Sequence, residues 1–261
     1  MLDLKNPSHA YLFGFVQADG HLRRIKGNKG ALSVELSSQD RWLLERFAQL
    51  VPVYSSITTR QRKTNFKDEY ESAVWTVYDF AFRQTLLALG MPEGRKSSIV
   101  APPRLEFSKP DYYRGLIDAD GALGLTANGF PFLTLTTRSE VMANGYLDFV
   151  EKIIGKAKTS SRNLRDQVFN IAVFKEDAQK LVATMYYKGC LALPRKKEKA
   201  KQIVRWVRPM EMKKIENRKQ WTPEEDGFVM NHSIKESALA LERSEKSVNL
   251  RRWRLRNGIR G

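Results

Sequence analysis

YYRGLIDADG at residues 112–121 and YLFGFVQADG at residues 11–20 say nearly the same thing. Each ends in Ala-Asp-Gly ahead of a strand-like run, and the aspartates, Asp19 and Asp120, stand about one hundred residues apart, too far for a solenoid repeat and right for two copies of a small domain. Read as helices, the segments place Gly14 with Ala18, and Gly115 with Ala119, on one face at a spacing of four. Small residues there let two helix backbones approach closely. Helices paired along such a seam bring both aspartates to one end, where their charges repel and the helix C-terminal dipoles add to the repulsion. A divalent cation relieves it.

The segments that follow each motif also repeat. Residues 31–37 (ALSVELS) alternate strictly, with Leu32, Val34 and Leu36 toward a core and Ser33, Glu35 and Ser37 outward. A helix is predicted over 39–50, from the stripe of Trp42, Leu43, Phe47 and Leu50, then strands near 53–60 and 70–78, and a helix over 79–89 stopped by Gly90 and Pro92. In the second copy Phe132 to Thr136 alternates in the same phase. It is followed by a helix over 138–154, strands near 156–162 and 167–173, and a helix over 176–188 ending at Gly189. Each copy therefore reads helix, two strands, helix, two strands, helix. Between them, residues 91–110 carry Pro92, Pro102, Pro103 and Pro110 without a helical stripe and read as a linker.

With 42% hydrophobic residues over 261 positions, the chain can bury a real core. Its 45 Lys and Arg against 29 Asp and Glu give a net charge of +16, which favours a polyanionic partner, nucleic acid first. From Lys188 onward 20 basic residues face 9 acidic ones, so most of that excess lies in the last part of the chain. The single cysteine, Cys190, excludes an internal disulfide and a cysteine-based zinc site. No leader pattern and no long apolar run stands out, so the expectation is an intracellular, cytoplasmic protein in a reducing compartment, with no membrane partner. The three histidines show no ligand spacing, and no nucleotide-binding glycine pattern is present.

The outward strand positions are polar, and many are basic or hydroxylic: Arg23, Lys26, Ser33, Glu35, Ser37, Thr58, Arg60 and Thr76 in the first copy, Thr126, Thr134, Thr136, Lys158, Arg162 and Asn170 in the second. Such a face can read base edges in a major groove. Double-stranded DNA is the partner this predicts.

The paired motifs resemble those of the LAGLIDADG homing endonucleases, in the single-chain form. GLIDADG at 115–121 keeps the family pattern; FGFVQADG is looser, with Gln17 where an acid is common but Asp19 intact. The resemblance implies an α+β fold of two pseudo-symmetric αββαββα halves around the motif helices, in a monomer with an internal two-fold. The halves would be residues 1–90 and 111–207, joined by the 91–110 linker. It further implies a DNA endonuclease in which Asp19 and Asp120, with the carbonyls of Ala18 and Ala119, hold Mg2+, with Mn2+ substituting. Lys96 and Lys196, which follow their aspartates at nearly the same distance, match the family's active-site lysine, although Arg95, Arg195 or Lys197 would fill that role after a one-residue shift. Ser38 and Thr137 resemble the polar position that orders active-site water. The implied product is a double-strand break across the minor groove, at a long, approximately palindromic site, as in intron homing. Relatives of other function leave two alternatives: an intron maturase that binds RNA, and a transcription regulator.

The composition changes again near residue 220. Thr222, Pro223 and the acids after them signal a helix start; a second short helix is expected over 233–242 and a third after Ser244. In the third, Val248 and Trp253 are expected inward and Arg251, Arg252, Arg254 and Arg256 outward, against DNA. Three short helices with a basic third one suggest a helix-turn-helix module at 220–261 on a tether of residues 208–219. WTPEED with RSEKSVNLRRWRLR resembles Myb/SANT-like modules.

Overall fold

Asn6 accepts hydrogen bonds from the backbone N–H groups of Ser8 and His9, and Pro7 supplies the first helical position, so α1 (Pro7–Asp19) begins with its free donors satisfied. Every residue from Ala10 to Gln17 is buried. A helix covered on all sides sits inside the molecule. The structure is a computed structural model that describes residues 2–23, 29–64, 67–158, 160–163, 165–210, 212 and 220–258. It divides into two compact units, Met1–Val207 and Arg208–Gly261.

After α1 come β1 (His21–Leu22), β2 (Leu32–Ser37), a 3-10 turn at Ser38–Asp40, α2 (Arg41–Leu50), β3 (Ser55–Thr64), β4 (Lys67–Val77) and α3 (Phe80–Ala88). The four strands form one antiparallel sheet in the order β1-β2-β4-β3. Leu32, Val34 and Leu36 point into the core, as their alternation predicts. The second copy runs α4 (Lys109–Asp120), β5 (Ala122–Leu125), β6 (Pro131–Thr137), α5 (Glu140–Ile154), β7 (Phe169–Phe174), α6 (Lys175–Met185) and α7 (Pro194–Val204). Its sheet is antiparallel, with three strands in the order β5-β6-β7. The apolar core runs without a break through both copies, with α1 and α4 at its centre.

Four expectations need correction. The strand predicted near 156–162 amounts, among the described residues, to an isolated bridge between Arg162 and Phe169. Lys156 and Lys158 reach instead to Asp177 in the first turn of α6, at 2.9 and 3.4 Å. The helix predicted to run to 188 stops at Met185, because Tyr186 and Tyr187 turn in to hydrogen-bond the carboxyls of Asp118 and Asp111. The linker ends at Ser108, since Pro110 falls in the first turn of α4, where a missing N–H costs nothing. α7 was not expected; its buried stripe is Lys196, Ala200 and Ile203, and the lysine hides the pattern.

The small unit contains α8 (Pro223–Asn231), α9 (Ile234–Ala240) and α10 (Glu245–Arg256). Thr222 with Glu225, and Ser233 with Glu236, form reciprocal capping boxes, and Ser244 caps α10. Of its apolar side chains, Val229 and Val248 are buried.

Candidate active site

The motif helices meet along their glycines. A Cβ on Gly14 would lie 2.1 Å from the Tyr112 carbonyl oxygen, and one on Gly115 would lie 2.2 Å from that of Tyr11. Only hydrogen fits at either place. Two buried polar pairs cross the seam reciprocally: the Tyr11 hydroxyl donates to Asp118 Oδ2 at 2.8 Å, and the Tyr112 hydroxyl donates to Gln17 Oε1. Gln17 and Asp118 occupy the same place in their motifs, two residues before the terminal aspartate. Their difference is chemical. Gln17 Nε2 faces the carbonyls of Gly90 and Ala101, at 3.1 Å each, where a donor is required; Asp118 faces donors, the Tyr186 hydroxyl at 2.6 Å and the Leu193 N–H at 2.7 Å. The departure at Gln17 is thus complementary to its surroundings.

At the end of the seam, Asp19 and Asp120 come together and share a hydrogen bond. Both residues are exposed at the mouth of a depression, yet protein atoms crowd their carboxyls on the inner side. Burial and the negative charge of Asp120 push the Asp19 carboxyl up to about 6, against the opposing pull of Lys96 and Lys196. Burial raises Asp120 as well. The two carboxyls titrate as a pair, and their contact favours a proton held on the pair as pH falls through about 6.

Behind each aspartate a lysine closes the end of the motif helix. Lys96 Nζ donates to the carbonyls of Val16, at 3.2 Å, and Gly20. Lys196 Nζ donates to Ile117, to Asp118 at 2.7 Å and to Gly121 at 2.9 Å. Cations at helix C-termini satisfy free carbonyls and oppose the dipole. Burial lowers each ammonium to about 8, although the nearby aspartates favour the charged form. The neighbours that a one-residue shift would select point elsewhere: Arg195 pairs with Asp40 at 3.3 Å and Lys197 donates to the Cys190 carbonyl at 3.4 Å. Arg95 lines the depression beside Asp19.

Two adjoining depressions open beside the carboxyls. One, of about 360 Å³, is lined by Ala18, Lys96, Asp120, Thr137 and Arg138 among others; the other, of about 490 Å³, by Ala18, Asp19, Arg95, Lys96 and Arg138. Arg138 is a residue that sequence reasoning missed. It follows Thr137 at the strand-to-helix junction, where a polar group was expected, and a charged residue on the surface carries no periodicity to mark it. Ser38 stands at the matching junction of the first copy.

The sheet faces are brought together in part as predicted. In the first sheet Ser33 pairs with Thr76, Glu35 with Val74 and Ser37 with Ser72, while Thr76, Val74 and Ser72 pair across to Ser56, Thr58 and Arg60. Ser33, Glu35, Ser37, Thr58, Arg60 and Thr76 therefore share one face, with Ser56 and Ser72 added to it. Glu35 is engaged there, accepting from Ser72 Oγ at 2.7 Å and lying 3.6 Å from Arg60. Arg23 is exposed just past β1; Lys26 lies outside the described residues. In the second sheet Thr134 and Thr136 share a face with Asn170, and Thr126 Oγ1 accepts from the Phe130 N–H to close the β5–β6 turn. Lys158 and Arg162 do not join that face. Lys158 is held by Asp177, and Arg162 pairs with inward-facing Phe169, lying over its ring at 5.0 Å and 3.9 Å from Glu140.

In the small unit, α10 turns differently from expectation. Arg251 is buried and clamps Asp226 through two bonds of 2.7 Å, while Arg252 donates to the carbonyls of Val229 and His232. Trp253 is 55% exposed. The reason is the pair of acceptors on α8 and the ring of Trp221, which takes Arg243 at 3.9 Å and Arg251 at 5.9 Å on its face. Arg254 and Arg256 remain exposed, as predicted.

Residues 6–88 match the family model described as a LAGLIDADG-like domain. Among solved structures, the homing endonuclease I-WcaI bound to its DNA recognition sequence is 14% identical, with a TM-score of 0.56, and the match covers 77% of this chain and 88% of that one. The I-LtrWI LAGLIDADG homing endonuclease bound to target DNA is 11% identical over 76% of this chain and 88% of its own, with a TM-score of 0.49. Mesophilic variants of the homing endonuclease I-DmoI are 14% identical over 75% and 97%, with a TM-score of 0.49. No curated protein sequence matches. The chain carries a LAGLIDADG-like domain within the fold of the single-chain LAGLIDADG homing endonucleases.

Proposed function

We propose that this chain is a DNA endonuclease that makes a metal-dependent double-strand break at a long, approximately palindromic site. The observation that carries the reading is the meeting of Asp19 and Asp120 at the end of a glycine-packed seam, with a lysine behind each. Evolution of a packed core does not call for two carboxyls in contact at a solvent-facing groove. A polyanion with a cation between does. The paired sheets supply hydroxyl, amide and guanidinium groups for base edges, and the net charge of +16 supplies affinity for phosphate.

The donor set fits Mg2+. No group of three or more His, Cys, Asp and Glu side chains forms a metal cluster among the described residues, so a cation here would rest on the two aspartates, carbonyl oxygens such as those of Ala18 and Ala119, and the substrate phosphate. Hard oxygen ligands of that number suit Mg2+, which keeps part of its water shell. Such an ion activates water and stabilises the leaving oxygen. The chain's own residues do the rest. Asp19 and Asp120 would bind it in their ionised form, which the Asp19 carboxyl reaches above about pH 6, and their shared position would set the cut where the two halves meet. Lys96, half neutral near pH 8, can accept a proton from water at Nζ or offset charge on the phosphate when protonated.

The small helical unit we read as an accessory DNA contact, through Arg254, Arg256 and the exposed face of α10. The experiment that tests the nuclease reading is selection from a randomised duplex pool for cleavage in Mg2+, followed by the Asp19→Asn, Asp120→Asn double variant on the selected duplex. Loss of cutting with retained binding is expected. Undiminished Mg2+-dependent cutting by the double variant would sink the assignment.

A further inference from the structure

The two halves share the motif helix and the strand that leads to the next helix, but their cations are engaged differently. Arg195 corresponds to Arg95, Asp40 to Ser139 and Gln39 to Arg138 when the copies are aligned on their motif lysines and on β2 and β6. On one side Arg195 is tied across the seam to buried Asp40, and Lys196 is only 6% exposed, its ammonium spent on three carbonyls. On the other side the residue in the place of Asp40 is Ser139, whose hydroxyl caps α5 by accepting from the Met142 N–H. It offers Arg95 no carboxylate. The guanidinium groups of Arg95 and Arg138 are exposed and have no hydrogen-bond or ion-pair partner among the described residues. Both line the depression that holds Asp19 and Lys96, and Arg138 and Lys96 also line the one that opens on Asp120.

We propose that the two strand-cutting centres are unequal: Arg138, with Arg95 beside it, holds the scissile phosphate of one strand, and that strand is cut first. The inference rests on the nuclease reading. In the hydrolysis a water oxygen bonds to phosphorus as the bond from phosphorus to the 3′ oxygen breaks. One water proton ends on the 3′ hydroxyl and the other stays with the 5′ phosphate or passes to solvent. Negative charge builds on the phosphoryl oxygens meanwhile, and a free guanidinium can take it in a two-pronged contact. Arg195 must first release Asp40 to do the same, and Gln39 has no charge to offer. The first half therefore gains a cation from the second beside its own Arg95.

The test uses the full chain and a duplex selected for cleavage from a randomised pool, with each strand end-labelled in turn. Wild type should accumulate a duplex nicked in one strand before the double-strand break appears. Arg138→Ala should slow cutting of that strand by about 100-fold, the scale of losing one donor to a transition-state anion. The other strand should change little, and Arg138→Lys should restore part of the rate. Binding of the duplex in EDTA should weaken by only a few-fold, the loss of about one phosphate contact, far less than the loss of rate. Asp40→Ser should free Arg195 and narrow the gap between the strands. Equal rates on the two strands in wild type would overturn the proposal, as would Arg138→Ala slowing both strands alike with weaker binding. If wild type binds pool DNA but cuts no duplex, the nuclease reading fails and takes the proposal with it.

Discussion

Gln17 and Asp118 show how one position can keep its role while its residue changes. Each lies in the seam, each accepts from a tyrosine of the facing helix, and each satisfies the chain segment behind it; one meets carbonyls and the other meets N–H and O–H donors. Gln17→Glu would set a carboxylate against two carbonyl oxygens. We expect it to cost about 2–3 kcal/mol in denaturant titration, the penalty of a buried group left facing the wrong partners. Stability equal to wild type would show that the amide does not make those contacts. The aspartate pair yields a pH prediction. A carboxyl that holds its proton more tightly folded than unfolded adds stability below its ordinary value of about 4, and that stability is lost as pH climbs through about 6. Without metal, then, Asp19→Asn should melt higher than wild type at pH 7 to 8, and the difference should shrink toward pH 4. Mg2+ binding should weaken as pH falls through about 6, because the proton competes for the same oxygens. The aspartates and lysines were legible because they repeat. Arg138 was not, because it departs from its counterpart Gln39, and a comparison of the two copies finds only what they share.

At the scale of elements, the seam is the most constrained contact. Gly115→Leu would place a side chain where a single Cβ already falls 2.2 Å from a backbone oxygen, so α4 must move away from α1. The loss should reach about 3 kcal/mol or more, the upper range for overpacking. The aspartates would separate as well, so cutting should fall even in molecules that remain folded. A soluble variant with unchanged melting would contradict the packing. The strands β2 and β6 and the motif helices were readable from period and small-residue spacing, since burial on one side imposes alternation. One element was missed and another misread for the same physical reason, that a basic residue does not mark an inner stripe. Lys196 heads the inner stripe of α7 because the end of α4 presents it with carbonyls, and Arg251 lies inside the small unit because Asp226 awaits it. A polar residue with a built partner behaves as core, and one sequence does not show its partner.

For the whole molecule, the division at Val207 separates chemistry from the proposed accessory contact. Asp19, Asp120, Lys96 and Lys196 and all seven strands named above lie before it, so a chain ending at Arg208 should fold and retain Mg2+-dependent cutting at saturating DNA. Its affinity for a long duplex should fall. A second contact on a tether raises the local concentration of the first without altering it, so the loss should appear at limiting DNA and vanish at saturation. The salt dependence should also flatten, by about 0.9 in the log–log slope for each phosphate contact removed. Since Arg251 and Arg252 are engaged within the unit, Arg254→Ala with Arg256→Ala in the full chain should reproduce much of that change without unfolding α10. Binding measured across a salt series for the full chain, the shortened chain and the double variant separates these effects, and footprints on the same DNA locate them. Protection that reaches beyond the core site and contracts on truncation supports the accessory contact. Affinity, slope and footprint all unchanged in the shortened chain would assign the small unit to a partner other than this DNA.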